Sequence, residues 1–432
     1  MANKQVQALN KAARAEIDIP GDKSISHRSI IFGSISEGTT HVSNFLTGED
    51  CVCTMKAFQA LGVKIDFNES TKEVTIEGKG MGALTAPSED IYLGNSGTGM
   101  RLLCGLFAGL PFDTTLTGDE SLSSRPMKRV TEPLAKMGAK IDSSDGKAPL
   151  KIHGGSQLQA ISHESKIASA QVKSCILLAG LNAQGTTVVS EPEKSRDHTE
   201  RMMQSFGANL KVDGLKVSLE PGSKLIAKDI VVPGDISSAA FFMVAAAILD
   251  DAELKLKGVG INPSRTGIID VLDAMKVSYK LENETEVNNE PIADIVVSSS
   301  KIQATTIEGD IIPRLIDEIP VISILAAQAE GTTVIKDAAE LKVKESNRIA
   351  STVNMLKALG VKVEDTDDGM IIEGRVGQAF EPVEDSICAD GDHRLAMSSA
   401  IAALKSNKPI NIEQVEFVAT SFPNFFDIIE AL

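Results

Sequence analysis

Six times along 432 residues a polar or glycine-rich loop runs into a segment rich in Ala, Leu and Ile. The segments begin at Gly21 (GDKSISHRSIIFGSISEG), Gly94 (GNSGTGMRLLCGLFAGL), Ile167 (IASAQVKSCILLAGLNAQG), Gly234 (GDISSAAFFMVAAAIL), Ile316 (IDEIPVISILAAQAEG) and Gly391 (GDHRLAMSSAIAAL). A period of about 75 residues restricts the chain to folds built by copying one supersecondary unit. Four segments are followed by a Thr-Thr dipeptide that opens a strand pattern: GTTHVSNFL, DTTLTGD, GTTVVSEP and GTTVIKDA. A second helical pattern follows, as in TMKAFQALGVKI, RVTEPLAKMGAKI, HTERMMQSFGANL, TGIIDVLDAMKV and IASTVNMLKALGVKV. Its apolar residues recur at three and four, and the Gly near its end suits a helix C-cap. Short alternating segments such as VTIEG, LKIHG, VSLEPG and MIIEG close the units as strands. One unit therefore reads helix, strand, helix, strand, strand, and the fold class is α/β.

The sixth unit stops at its second helix, FPNFFDIIEAL, without closing strands. Residues 4–19, KQVQALNKAARAEIDI, read as a spare β-hairpin that completes it. This predicts two domains of three units each, 21–234 and 1–20 joined to 235–432. The chain would cross between them at Pro20-Gly21-Asp22 and Pro233-Gly234-Asp235, the same tripeptide twice, which suits a two-stranded hinge.

The net charge of −16 and the scattered Lys and Arg argue against nucleic acid as a partner. The longest uninterrupted apolar stretch, Ala239 to Leu249, falls well short of the roughly 20 residues that span a bilayer. No signal-like run opens the chain, so a cytoplasmic protein with no membrane partner is expected. Cys51, Cys53, Cys104, Cys175 and Cys388 suit reduced thiols, and no His or Cys spacing suggests a metal site.

Chemistry gathers in the loops before the helices. A helix N-terminus offers free N–H groups and the positive end of a dipole to an anion. Asp22, Asp235 and Asp392 suit N-caps. After Asp22, Lys23, Ser24, His27 and Arg28 occupy the first two turns, where cations oppose the dipole unless a ligand anion compensates. Gly94 to Gly99 has the spacing of a P-loop, but Met100 and Arg101 stand where its Lys and Ser/Thr belong. An anion cradle and a plain tight turn both fit this loop. Pro126 suits a first helical position, with Arg125 ahead and Arg129 behind. Ser169, Gln171 and Lys173 open another helix, and Arg196 to Glu200 the next. In the second domain the corresponding clusters are Arg314, Asp317 and Glu318; Lys344, Glu345 and Arg348; and Asp392, His393 and Arg394. Any one cluster could be a solvated, salt-bridged turn. Their recurrence at equivalent loops points to an anion-lined cleft between the domains.

In order, PGDKSISHR, GNSGTGMR, RPMKR, SAQVKS, DHTE, PGDISSAAFF, NPSR, IDEIPV, KVKESNR and GDHR resemble the signature segments of the enolpyruvyl transferases, in particular class II-like members acting on shikimate 3-phosphate. The resemblance runs from about Pro20 to the end. It implies two domains of three βαβαββ units each, an inverse α/β barrel-like arrangement, acting as a cytoplasmic monomer without cofactor or metal. The implied reaction joins the enolpyruvyl group of phosphoenolpyruvate to the 5-hydroxyl of shikimate 3-phosphate by addition and elimination. By the same resemblance, shikimate 3-phosphate is held by Lys23, Ser24, Arg28, Ser169, Ala170, Gln171, Arg196, Asp317 and Lys344. Phosphoenolpyruvate is held by Lys23, Gly97, Arg125, Gln171, Arg348 and Arg394, with Asn95 and His393 nearby. Asp317 is the implied base for the hydroxyl, and Glu345 and Lys23 serve the proton transfers at C3. Some members tolerant of the inhibitor glyphosate carry Ala where this chain has Gly97. The competing readings are transfer to UDP-N-acetylglucosamine, a non-catalytic anion-binding protein on the same fold, and a P-loop nucleotide hydrolase. Relatives acting on the nucleotide sugar carry a loop Cys that Gly118 to Arg125 lacks.

Overall fold

The computed structural model describes residues 2–432. The chain divides into two compact units. The first is Gly21–Val232 with Val287–Asn289; the second is Met1–Pro20, Pro233–Glu286 and Glu290–Leu432. The chain therefore returns to the second unit at Pro233, and the tip of a hairpin, Val287–Asn289, groups with the first.

The repeat is laid out plainly around the second segment. The strand Ile91–Tyr92 pairs in parallel with Thr114–Thr117, and the helix Gly97–Phe107 makes the crossover that a parallel pair requires. Thr114–Thr117 then pairs antiparallel with Lys147–His153, which forms a hairpin with Lys140–Ser144. The order is βαβαββ. Among the described residues there are six such sheets, five of four strands and one of three.

In the first repeat of each unit the strand just before the helix in the chain belongs to the other unit, and a distant segment takes its place. Ile230–Val231 lies parallel to Glu37–Ser43 in the first unit. Ala13–Asp18 lies parallel to Ala252–Gly260 in the second. Asn3–Val6 goes elsewhere, antiparallel to Ile410–Glu413 in the three-stranded sheet. The hairpin expected over 4–19 is therefore not formed: its two strands sit in different sheets. One of them does complete the last unit. The other is drawn away because the helix Ile236–Ile248 needs a parallel neighbour on its entering side. Val6, Ala13 and Ile17 are buried in these sheets, a pattern equally compatible with a hairpin.

Each unit has its own core. The helices Lys23–Ile35 and Ile236–Ile248 are buried on nearly every face: Ile236–Ile248 is apolar over most of its length, whereas Lys23–Ile35 buries Ser26, His27, Arg28 and Ser29 among its apolar residues. Asp22, Asp235 and Asp392 cap three of the repeat helices by accepting from Ile25, Ser237 and Arg394 N–H. Gly62, Gly138, Gly207 and Gly360 end the second helices at φ between 75° and 97°. Pro126 is not a first helical residue. A short helix, Glu120–Ser124, ends just before it with Arg125 as C-cap, and the next helix starts at Lys128. Among the described residues no helix is long and apolar enough to cross a membrane.

One threonine of each Thr-Thr pair points inward. Thr40, Thr114, Thr187 and Thr333 are at most 2% exposed, and their hydroxyls have no hydrogen-bond partner. A buried hydroxyl without a partner costs about 1–3 kcal/mol, and an apolar group of the same shape avoids that. Thr187→Val should therefore raise stability by about 1 kcal/mol, read from the denaturant midpoint. A lower midpoint would show that the hydroxyl is satisfied in solution.

Candidate active site

The first unit gathers its candidate side chains where the N-termini of the helices Lys23–Ile35, Gly97–Phe107 and Ala170–Gly180 meet. Lys23 Nζ lies 3.3 Å from Asp50 Oδ2, in the first turn of Glu49–Ala60. Arg28 is 4% exposed and held on three sides. It donates from Nε to Thr199 Oγ1 (2.6 Å), from Nη2 to Ser174 Oγ (2.9 Å) and from Nη1 to the Ser24 carbonyl (2.9 Å). Such fixing suits bidentate recognition of a phosphate or carboxylate.

His27 is not a ligand-facing group. It is fully buried, with Nδ1 at 2.8 Å from Thr54 Oγ1 and Nε2 at 3.4 Å from Ser96 Oγ. Thr54 donates to the Asp50 carbonyl, so it accepts from His27 Nδ1–H. Nε2 is then left to accept from the Ser96 hydroxyl, whose oxygen takes the Gly99 N–H at 3.0 Å. This neutral imidazole joins the Lys23 helix to the glycine-rich loop. Burial, then the charges of Lys23 and Arg28, hold its pKa well below the ordinary 6.5. The unfolded chain thus binds an extra proton as pH falls through 6.5 while the folded chain does not. Stability should be constant above that pH and fall below it, by up to about 1.4 kcal/mol per unit from this group. Melting temperatures from pH 7.5 to 5 for the parent and His27→Asn test this; equal slopes would remove His27 as the cause.

The glycine-rich loop and two arginines form one constellation. Arg125 Nη2 donates to Asn95 Oδ1 in a short contact and to Ser121 Oγ at 3.2 Å, while Asn95 Nδ2 donates to Asp119 Oδ2 at 2.7 Å. Arg101 Nη1 donates to Gln171 Oε1 at 2.5 Å, and Gln171 Nε2 donates to Thr98 Oγ1 at 3.0 Å. A guanidinium only donates, so Arg101 fixes which way the Gln171 amide faces. Gly97 lies between the two arginines: a Cβ there would be 3.1 Å from Arg101 Nη1 and 3.2 Å from Arg125 Nη1. Ser169 caps its helix, with Ala170 and Gln171 in the first turn. Arg196 is half-buried on the loop after Ser195.

The second unit holds a different cluster. Arg348, 1% exposed, donates to Asp317 Oδ1 (3.0 Å) and Asp392 Oδ2 (2.7 Å), and its Nη2 forms an ion pair with Glu345 Oε2 at 2.7 Å. Lys344 Nζ is 3.3 Å from the same Asp317 oxygen. Burial works against the Arg348 charge, but Asp392, Glu345 and Asp317 outweigh it and keep the guanidinium firmly protonated. His393 and Arg394 follow Asp392 into the helix His393–Ala403, both buried. Beneath Asp317, Glu318 is fully buried and accepts a short hydrogen bond from Ser237. Arg265 of the NPSR segment donates to Ser237 Oγ at 2.7 Å and Asp235 Oδ1 at 3.0 Å.

The sequence-predicted residues thus fall into two clusters: Lys23, Ser24, Arg28, Asn95, Gly97, Arg125, Ser169, Ala170, Gln171 and Arg196 in the first unit, and Asp317, Lys344, Glu345, Arg348, His393 and Arg394 in the second. Sequence reasoning did not assign Asp50, Arg101 or Asp392 to the site. Asp392 was legible as an N-cap in the cluster it forms with His393 and Arg394, without the second role the structure shows: it serves both Arg394 N–H and the Arg348 side chain. Among the described residues no group of three or more His, Cys, Asp or Glu is placed to hold a metal ion.

A family model described as EPSP synthase (3-phosphoshikimate 1-carboxyvinyltransferase) matches residues 8–429. The 3-phosphoshikimate 1-carboxyvinyltransferase of Bacillus licheniformis is 52% identical over 421 residues, covering 97% of each chain. That of Bacillus subtilis strain 168 is 51% identical over 434 residues, covering 100% of this chain and 99% of its own. Among solved structures, an EPSP synthase from Acinetobacter baumannii superposes with a TM-score of 0.89 at 48% identity, covering 99% of this chain and 98% of that one. The enolpyruvyl transferase NikO from Streptomyces tendae, at 16% identity and a TM-score of 0.78 over 99% of this chain and 96% of that one, shares the fold.

Proposed function

Because the chain belongs to the EPSP synthase (3-phosphoshikimate 1-carboxyvinyltransferase) family, and so catalyses the enolpyruvyl transfer of the shikimate pathway, we propose that its two half-sites divide the work of that reaction. The first unit supplies positive charge for two polyanionic substrates. The second supplies the groups that move protons. The observation that carries this division is their contrasting charge. Lys23, Arg28, Arg101 and Arg125 gather in the first half-site with Asp50 the carboxylate paired to Lys23, whereas Asp317, Glu345 and Asp392 surround Lys344 and Arg348 in the second.

Arg28, Ser169, Gln171, Ser24 and Arg196 hold shikimate 3-phosphate, and Lys23, Gly97 and Arg125 hold phosphoenolpyruvate on the same unit. Asp317 takes the proton of the 5-hydroxyl as its oxygen attacks C2 of phosphoenolpyruvate. A proton arrives at C3, giving a tetrahedral carbon that still bears the phosphate. The C2–O bond to phosphate then breaks as C3 gives up a proton, and phosphate leaves. Cations placed in advance stabilise the charge that develops. Arg348 is engaged by three carboxylates. Phosphoenolpyruvate reaching it displaces Glu345, which becomes available for the proton at C3. Lys344 and Arg394 complete the second half-site of what we read as a cytoplasmic monomer.

Phosphate release with shikimate 3-phosphate or UDP-N-acetylglucosamine as acceptor tests this. Turnover is expected with the first alone; turnover with the nucleotide sugar alone would reverse the assignment. A methyl group at position 97 would press on both arginine heads, which can yield by a few tenths of an ångström. Gly97→Ala should therefore raise KM for phosphoenolpyruvate about ten-fold and leave KM for shikimate 3-phosphate within about two-fold.

A further inference from the structure

Three charged side chains lie buried together in the first unit with no part in the chemistry above. Lys173 on the helix Ala170–Gly180, Glu191 after the strand Thr187–Ser190 and Glu200 on the helix His198–Ser205 are 3–4% exposed. Lys173 Nζ is 2.7 Å from Glu191 Oε2 and 2.8 Å from Glu200 Oε1. Taking three charges out of water is unfavourable, and a packed apolar trio would serve stability equally well or better. The reason for the charges lies in what they hold.

Glu191 Oε1 accepts the backbone N–H of Ser169 at 2.9 Å, which fixes the residue that opens the Ser169-Ala170-Gln171 turn. Both Glu191 oxygens accept from the Ser195 hydroxyl, at 2.7 and 2.8 Å, one residue before Arg196. A second cross-link runs beside the first. Ser174, next to Lys173, lies 2.6 Å from Thr199, next to Glu200. These two hydroxyls are the same ones that receive Arg28 Nη2 and Nε. The buried cluster therefore sits directly behind Ser169, Arg196 and Arg28. Apolar packing tolerates small slides of one helix against another; charge-assisted hydrogen bonds do not. Burial raises the Glu200 carboxyl pKa, and Lys173 opposes this only in part. The Lys173 ammonium is held protonated against its own burial by Glu200 and Glu191. Lys173 thus links the two carboxyl groups, and Glu200 ties the third element to it.

We propose that Lys173, Glu191 and Glu200 are positioning residues for shikimate 3-phosphate, locking Ser169, Arg28 and the Arg196 loop into the geometry that its phosphate requires. This rests on the assignment of that substrate to the first half-site. The test is Glu191→Gln in the full chain, with steady-state constants for both substrates and a melting temperature. The expected result is a KM for shikimate 3-phosphate raised about ten-fold, with kcat and KM for phosphoenolpyruvate within about two-fold. A cluster that served only folding would lower the melting temperature and leave all three constants of the folded enzyme alone; that outcome overturns the proposal. If Glu191→Gln fails to fold, Ser195→Ala removes one hydroxyl from the same carboxylate and should raise the same KM about three-fold; an unchanged KM there is equally fatal. Ser169→Ala separates the two levels. No effect on KM for shikimate 3-phosphate would mean the substrate assignment is wrong, whereas an effect there with none from Glu191→Gln or Ser195→Ala would reject the positioning role alone.

Discussion

Asp317→Ala is expected to lower turnover by about 1,000- to 10,000-fold while both substrates still bind. Asp317 Oδ1 is within 3.3 Å of Lys344 Nζ and 3.0 Å of Arg348 Nη1. The substitution leaves Arg348 its contacts to Glu345 and Asp392, so the surrounding structure should persist. What disappears is the group we propose takes the hydroxyl proton during attack on C2. Phosphate release would be measured alongside binding of shikimate 3-phosphate by titration calorimetry. Loss of turnover with binding retained within a few-fold places Asp317 in the chemical step. Undiminished turnover would remove it from the mechanism, and so would a loss confined to binding.

The second large effect concerns stability. Asp392 is fully buried and does two things at once: it caps the helix His393–Ala403 and accepts from Arg348 Nε at 2.7 Å. Arg348 is itself 1% exposed. Removing one member of a buried ion pair leaves the other desolvated and costs about 3–5 kcal/mol, and loss of an N-cap adds about 1 kcal/mol. Asp392→Ala should therefore destabilise the second unit by about 4–6 kcal/mol, seen as an early unfolding phase in urea. Asp392→Asn, which keeps a cap and one acceptor, should recover part of the loss. Near-parental stability for Asp392→Ala would mean that Glu345 and Asp317 alone satisfy Arg348.

Much of the architecture was legible because the same pattern is written six times. The repeat helices, their Asp caps and the glycines that end the second helices all follow from spacing and residue type. Strand partnership did not follow. Ala13 to Asp18 alternates as a strand should, but alternation says which side faces inward and not which sheet receives it. Two residues upstream of a helix, Pro126 looked like a helix start; its neighbour Arg125 instead ends a short helix. In the site, side chains on helix N-termini were visible as local clusters. Asp392 was visible too, but only its capping role is local; its bond to Arg348 spans 44 positions. Arg101 pairs with Gln171 across 70 positions. His27 was grouped with Lys23 and Arg28 by helical spacing, yet its ring turns inward to Thr54 and Ser96.

The borrowed edge strands bear on the order in which the chain is made. Glu37–Ser43 emerges from the ribosome long before Ile230–Val231, its parallel neighbour. Ala13–Asp18 must wait for Ala252–Gly260, and Asn3–Val6 for Ile410–Glu413, which is made much later still. Asn3–Val6 therefore waits far longer for its partner than Ala13–Asp18 does, and the second unit cannot close before Ile410–Glu413 has emerged. A nascent chain halted before Ile410–Glu413 would carry Asn3–Val6 as an unpaired β-segment, a natural handle for chaperones and a weak point for proteases.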